Sequence, residues 1–166
     1  MVQNKVEDKD LLLAKIFIER TFEALKQYEE NLKGTQQSYA HTLFINACVG
    51  FLMTGNESVL NDFPTSIISE DEWGISPKKI KEIKDDDKSV RNVIKQVRHS
   101  IAHFNFKFDY SPHESMPIER ITLKNWQGHL KIEDLDFHAF RYFVLKVAEE
   151  ALYGVSSYHR CTHPIK

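Results

Sequence analysis

The hydrophobic period of the chain changes abruptly near His103, and no other feature constrains the fold as much. Before this point, apolar residues recur at helical spacing and form one stripe: Val90, Ile94, Val97 and Ile101. After it, aromatic residues alternate with polar ones, as in a strand with one apolar face: Phe104, Phe106, Phe108 and Tyr110. The sequence therefore predicts a helix that ends near His103 and leads directly into a strand.

Further patterns predict helices on both sides of this segment. Long helices are expected over about 8–33 and 134–153, where apolar residues recur on one face and a glycine follows, and over about 38–53, which is apolar on nearly every face and is followed by Thr54-Gly55. A short helical stretch is expected at 76–83, where Ser76-Pro77 is a typical helix start. Short strands are expected within 118–126 and 130–132.

These elements predict a mainly α fold, an up-and-down bundle of four to five helices with a small antiparallel β-hairpin before the last helix. A chain of 166 residues with 42% hydrophobic and 28% charged residues is expected to form one domain. We expect its core to span about 8–154 and the tail 155–166 to be loose.

The most apolar stretch, Leu43–Met53, is too short to span a bilayer, so no membrane association is expected. A helix that is apolar on nearly every face is buried on more than one side, which suggests a second partner surface. Cys48 and Cys161 lack metal or disulfide spacing, and Met1–Asp10 lacks the apolar region of a secretion signal. A reduced, cytoplasmic setting is therefore expected, with Cys48 as a small buried hydrophobe.

The candidate reactive residues lie in one six-residue motif, Arg98-His99-Ser100-Ile101-Ala102-His103. Cleavage of a phosphodiester needs a fixed cation for the charge that builds on the phosphorus oxygens, and a group that moves protons near neutral pH. Arginine and histidine supply these two functions. Since His99 and His103 are four residues apart and lie off the apolar stripe, they are predicted to stack on the exposed side of the helix.

The local charge favours an anionic ligand. The whole chain has a formal net charge of −2, yet Lys88–Phe108 contains five basic residues and no acidic one. We therefore take Arg98 and His103 as the candidate catalytic residues. Candidates for supporting or RNA-binding roles are His99, Asn105, Lys95, Arg91 and Lys107.

Other interpretations stay open from the residues alone. Cations and histidines near the end of a helix also stabilise its dipole. His99 and His103 have the spacing of two metal ligands, with His113 or His129 as a possible third, although basic surroundings disfavour a dication and we expect no metal. The Phe104–Phe108 stripe is typical of core packing, with base stacking as the alternative.

The motif and its helical context resemble the HEPN domain family, which has four- or five-helix bundles with an Arg-x4–6-His motif at the end of the penultimate main helix. The resemblance covers roughly 8–154 in element order, and the hairpin before the last helix is similar to one prokaryotic branch. His99 departs from the Asn or Asp that is usual after the arginine.

The resemblance implies a metal-independent endoribonuclease without cofactors, a homodimer whose two motifs meet across the interface. It implies that Arg98 stabilises the reacting phosphate and that His103 moves the proton of the ribose 2′-OH. A toxin or phage-defence role with a possible antitoxin partner is implied as well. The alternative is a non-catalytic module that binds nucleotides or RNA or that serves dimerisation.

Overall fold

The computed structural model describes residues 4–31, 44–48, 50, 60–110, 118–125 and 128–153. The described helices are α1 (Asn4–Asn31), α2 (Glu70–Trp73), α3 (Val90–Ala102) and α4 (Phe137–Tyr153), and residues 44–48 are also helical. The strands are β1 (Ile80–Ile83), β2 (Phe106–Tyr110), β3 (Ile118–Lys124) and β4 (Leu130–Asp136). A 3-10 turn at Lys84–Asp86 connects β1 to the segment before α3. The tail 155–166, expected to be loose, lies outside the described residues.

The four strands form one antiparallel sheet in the order β1-β4-β3-β2. Helices α3 and α4 both pack against β3 and β4, and α4 also contacts α1 and α2. The core lies between this sheet and the helices. The prediction of a mainly α bundle is therefore wrong, because a helical layer covers a four-stranded sheet that is far larger than the expected hairpin.

Strand β1 explains much of this error. The spacing of Ile80 and Ile83 predicts one helical face, and both side chains are indeed buried, but the segment is extended. A register shift between Ile80 and Glu82 marks a bulge opposite β4. Because a bulge inserts one extra residue, it turns two positions three apart to the same face of a strand. The apolar spacing therefore fitted a helix and a bulged strand equally well.

Strand β4 shows the same irregularity where it pairs with β3. The register shifts between the pairs of Ile132 and Leu135, and the intervening segment contains Asp134, whose φ is 51°. Ile132 and Leu135 are three positions apart, yet both are buried. A strict alternation would place them on opposite faces of the strand, so the bulge is what brings both side chains into the core.

Several helices and strands also begin at other residues than predicted. The amide of Asn92 donates to Ser89 Oγ over 3.3 Å, so Ser89 caps the N-terminus of α3. Helix α4 begins at Phe137, where Asp136 Oδ1 accepts from the amides of His138 and Ala139. Phe104 lies in a turn after α3, so β2 begins two residues later than the alternation predicts.

The described part of the second predicted helix is buried inside the chain. Phe44, Ala47 and Cys48 are buried, and the Phe44 ring meets those of Phe137 and Phe140 edge-on. These apolar side chains therefore pack within the protomer rather than on a partner, while the rest of Leu43–Met53 lies largely outside the described residues. The prediction of Cys48 as a buried hydrophobe is confirmed, and burial raises the pKa of its thiol.

No helix within the described ranges is both long enough and apolar enough to cross a membrane.

Candidate functional site

Helix α3 presents the Arg-x4-His motif at its C-terminal end. Its apolar stripe is buried against the sheet, as predicted from the helical spacing. Ser100, inside the motif, is also buried, and its hydroxyl donates to the carbonyl of Gln96 over 3.1 Å. The helix is therefore fixed on one side, and the motif residues on its other side face outward.

His99 and His103 form an exposed pair on that outer side. Their ring centroids lie 4.4 Å apart, which confirms the stacking predicted from their spacing. Desolvation lowers the pKa of His99, and positive charge on His103 and on His129 lowers it further. His99 is therefore held toward its neutral form next to a second imidazole.

Arg98 is half-buried and lies on a different part of the helix surface. At about 100° per residue, five residues turn its side chain about 140° away from that of His103. The two motif residues thus occupy neighbouring turns of α3 but leave the helix in different directions.

Hydrogen bonds attach this end of α3 to the sheet. The Asn125 side-chain amide donates to Gln96 Oε1 over 3.1 Å, and Gln96 Nε2 donates to Asn92 Oδ1 over 3.2 Å. The backbone amide of Lys124 donates to the carbonyl of Asn105 over 2.9 Å. The motif is therefore carried on a helix end that is tied to the end of β3.

The other candidate residues are spread along this region. Arg91 donates to the backbone carbonyls of Asn61 and Phe63, about 18 Å along the helix axis from His103 at 1.5 Å per residue. Lys95 is exposed about one turn before Arg98 and about two turns before His103. Lys107 is exposed on β2 and pairs with Asp109 over 2.9 Å. Their roles in binding RNA stay predictions.

A shallow pocket of about 360 Å³ opens beside the motif. Its lining residues come from the turn after α3, from β2 and from the end of β3: Phe104, Asn105, Phe106, Lys107, Thr122, Lys124 and Asn125. Two of the candidates, Asn105 and Lys107, therefore share one surface, which begins immediately after His103.

The histidine pair has the spacing of two metal ligands, but the described part of the chain brings no third ligand to it. No group of three His, Cys, Asp or Glu side chains is placed there to hold an ion. His129 is close enough to His99 to influence its pKa, yet the three histidines do not form such a group. His113, the other suggested ligand, lies outside the described residues.

Sequence reasoning missed the residues that hold the motif in place. Gln96 precedes His99 by three and His103 by seven, so helical spacing alone identifies it as a neighbour on the same side. Its partner Asn125 carries no such signal, because only the packing of α3 on the sheet brings the two together.

Comparison with known proteins identifies the family of the chain. The family model described as HEPN pEK499 p136 matches residues 1–154. No curated protein and no solved structure matches the chain significantly. The matched residues include all of α3 and its Arg98–His103 motif. The chain therefore belongs to the HEPN family, whose members are typically ribonucleases or nucleotide-binding proteins.

Proposed function

We propose that this protein is a metal-independent endoribonuclease that acts as a homodimer. The observation that carries the proposal is the Arg98–His103 motif at the outward-facing end of α3, in a chain that belongs to the HEPN family. The exposed imidazole of His103 and the basic segment around it suit a polyanionic substrate.

The reaction follows from these two side chains. His103 takes the proton of a ribose 2′-OH, and the 2′ oxygen forms a bond to the adjacent phosphorus. Arg98 stabilises the negative charge on the phosphoryl oxygens. The bond from phosphorus to O5′ breaks, O5′ takes a proton from water, and the imidazolium of His103 returns its proton to the resulting hydroxide. The products are a 2′,3′-cyclic phosphate and a 5′-OH.

A two-chain site fits the geometry of α3. Because Arg98 and His103 diverge by about 140° around the helix, two copies of α3 side by side offer one phosphate an arginine from one chain and a histidine from the other. The dimer and its shared site are therefore parts of the same proposal.

The direct test is cleavage of single-stranded RNA in the presence of EDTA. We expect wild type to produce 2′,3′-cyclic phosphate ends, Arg98→Ala to lose at least about 10²-fold in rate, and His103→Ala to lose comparably. His138→Ala, which removes an exposed histidine at the start of α4, is the matched control and should cleave normally. Cleavage that requires added metal, or that survives His103→Ala, would contradict the proposal.

A toxin or phage-defence role in the cytoplasm, restrained by an antitoxin, extends this proposal. It predicts that expression of wild type slows cell growth and that His103→Ala does not. If RNA stabilises the protein against heat without being cleaved, the chain is instead a binding module.

A further inference from the structure

Phe104, the residue after His103, has a backbone conformation that rarely suits a bulky side chain. Its φ is 53°, in the left-handed region. Its amide donates to the carbonyl of Ile101, and the next amide, of Asn105, donates to that of Ser100. These two bonds form the Schellman motif that ends many helices, in which glycine usually occupies the left-handed position because a Cβ is unfavourable there.

Packing does not compensate for this conformation. Phe104 is 75% exposed, more than the other large hydrophobic residues whose burial the structure describes. Its ring lies 6.1 Å from that of Phe106, centroid to centroid. A phenylalanine that is both strained and exposed gains little stability for the fold, and strained residues concentrate at functional sites.

The residues around the Phe104 ring indicate what kind of ligand the pocket suits. Phe104 forms one side of the shallow pocket, which also contains two lysines and two side-chain amides, Lys107, Lys124, Asn105 and Asn125. An aromatic face suits a nucleobase, amides suit the polar edge of a base, and ammonium groups suit phosphates. The ion pair of Lys107 with Asp109 is exposed and therefore weak enough to exchange for a phosphate.

The geometry points to Phe104 as a stacking platform for an unpaired nucleobase of the RNA, with Lys107 and Lys124 against the flanking phosphates. This inference rests on the proposed function and adds to it a requirement for single-stranded substrate, since a paired base does not offer its face. An apolar surface of a second protein chain fits less well, because it would desolvate the two lysines and the amides.

Phe104→Gly tests the role of the ring in binding without disrupting the fold. Glycine removes the ring and also relieves the left-handed strain, so we expect the midpoint of thermal unfolding to stay level or rise. Binding of a labelled single-stranded RNA oligonucleotide, measured in the His103→Ala background to prevent cleavage, should weaken roughly 5- to 150-fold. Phe104→Tyr should retain binding, because it keeps the aromatic face.

Two controls sharpen this test. Ile67→Ala removes another highly exposed apolar side chain near the opposite end of α3, where Ile67 pairs with Ser89, and should leave binding unchanged. An RNA oligonucleotide with a single abasic nucleotide at the stacked position should bind less tightly to protein that retains Phe104. The loss should equal the loss that Phe104→Gly causes with the intact oligonucleotide. The two changes should not add, since both remove the same contact.

The inference is overturned if Phe104→Gly binds RNA as well as the Phe104 protein, if neither binds, or if weaker binding coincides with dissociation of a dimer. In the last case the ring is a subunit contact. Cleavage distinguishes this inference from the proposed function. Normal cleavage and binding by Phe104→Gly refute stacking alone, whereas cleavage that survives His103→Ala refutes the catalytic proposal alone.

Discussion

At the scale of single residues, the two neighbouring histidines have different electrostatic surroundings. His99 lies 4.4 Å from His103, ring centroid to ring centroid, and its pKa is lowered by desolvation and by neighbouring positive charge. The lowered pKa favours the uncharged form of His99, so this side chain adds less positive charge to the end of α3 than a histidine without these neighbours. The proton chemistry is then assigned to His103 in the proposed reaction.

The lowered pKa makes stability depend on pH. Since the folded-state pKa of His99 is below its ordinary value of 6.5, the unfolded chain takes up this proton first as the pH falls. The stability linked to neutral His99 is thus present above that value and is lost on acidification. We expect His99→Gln to reduce the fall in thermal midpoint between about pH 7 and pH 5. An unchanged fall would contradict this, and His138→Gln is the control.

At the scale of elements, the motif depends on how α3 is attached to the sheet. Gln96 is only 5% exposed, and the side-chain amide of Asn125, at the end of β3, donates to the side-chain oxygen Oε1 of Gln96. This bond between side-chain amides joins a helix to a strand end, and its two residues are 29 positions apart in the chain. This connection fixes the end of α3 that carries His99 and His103 beside the pocket.

Removal of this bond should destabilise the protein. Asn125→Ala leaves the buried Gln96 oxygen without this donor, so we expect a loss of about 1–3 kcal/mol in the free energy of unfolding, measured by urea denaturation. In a Gln96→Leu background the same change should cost clearly less, because the acceptor is already gone. Equal costs in both backgrounds would mean that the two side chains do not act together.

At the scale of the whole molecule, the sheet and helices leave the C-terminal end of α3 at the surface, where a second copy has access to it. Phe44, Ala47 and Cys48 are buried within the protomer, so these three side chains are not available for the second partner surface expected from the apolar segment. The active site of the proposed dimer is shared only if Arg98 and His103 come from different chains.

Mixing two inactive variants tests a shared site. If each site takes Arg98 from one chain and His103 from the other, an equal mixture of Arg98→Ala and His103→Ala that exchanges subunits should regain roughly a quarter of wild-type activity. Half of its dimers are then mixed, and each of these has one intact site of two. An inactive mixture, with subunit exchange verified independently, would place both residues of each site on one chain.

The local patterns of the sequence determined the elements whose signals lie within a few residues. They predicted the helix that ends near His103, the outward-facing histidine pair, the strands that follow and the HEPN resemblance, since helical and strand periods are set by short-range geometry. Only the tertiary structure decided that Ile80–Ile83 joins the sheet, that Phe104 takes a left-handed turn and that Gln96 meets Asn125. The strand pairing and the contact of Gln96 with Asn125 join residues distant in the chain, which no local pattern encodes, and the turn at Phe104 lacks the glycine that usually marks such a turn in a sequence.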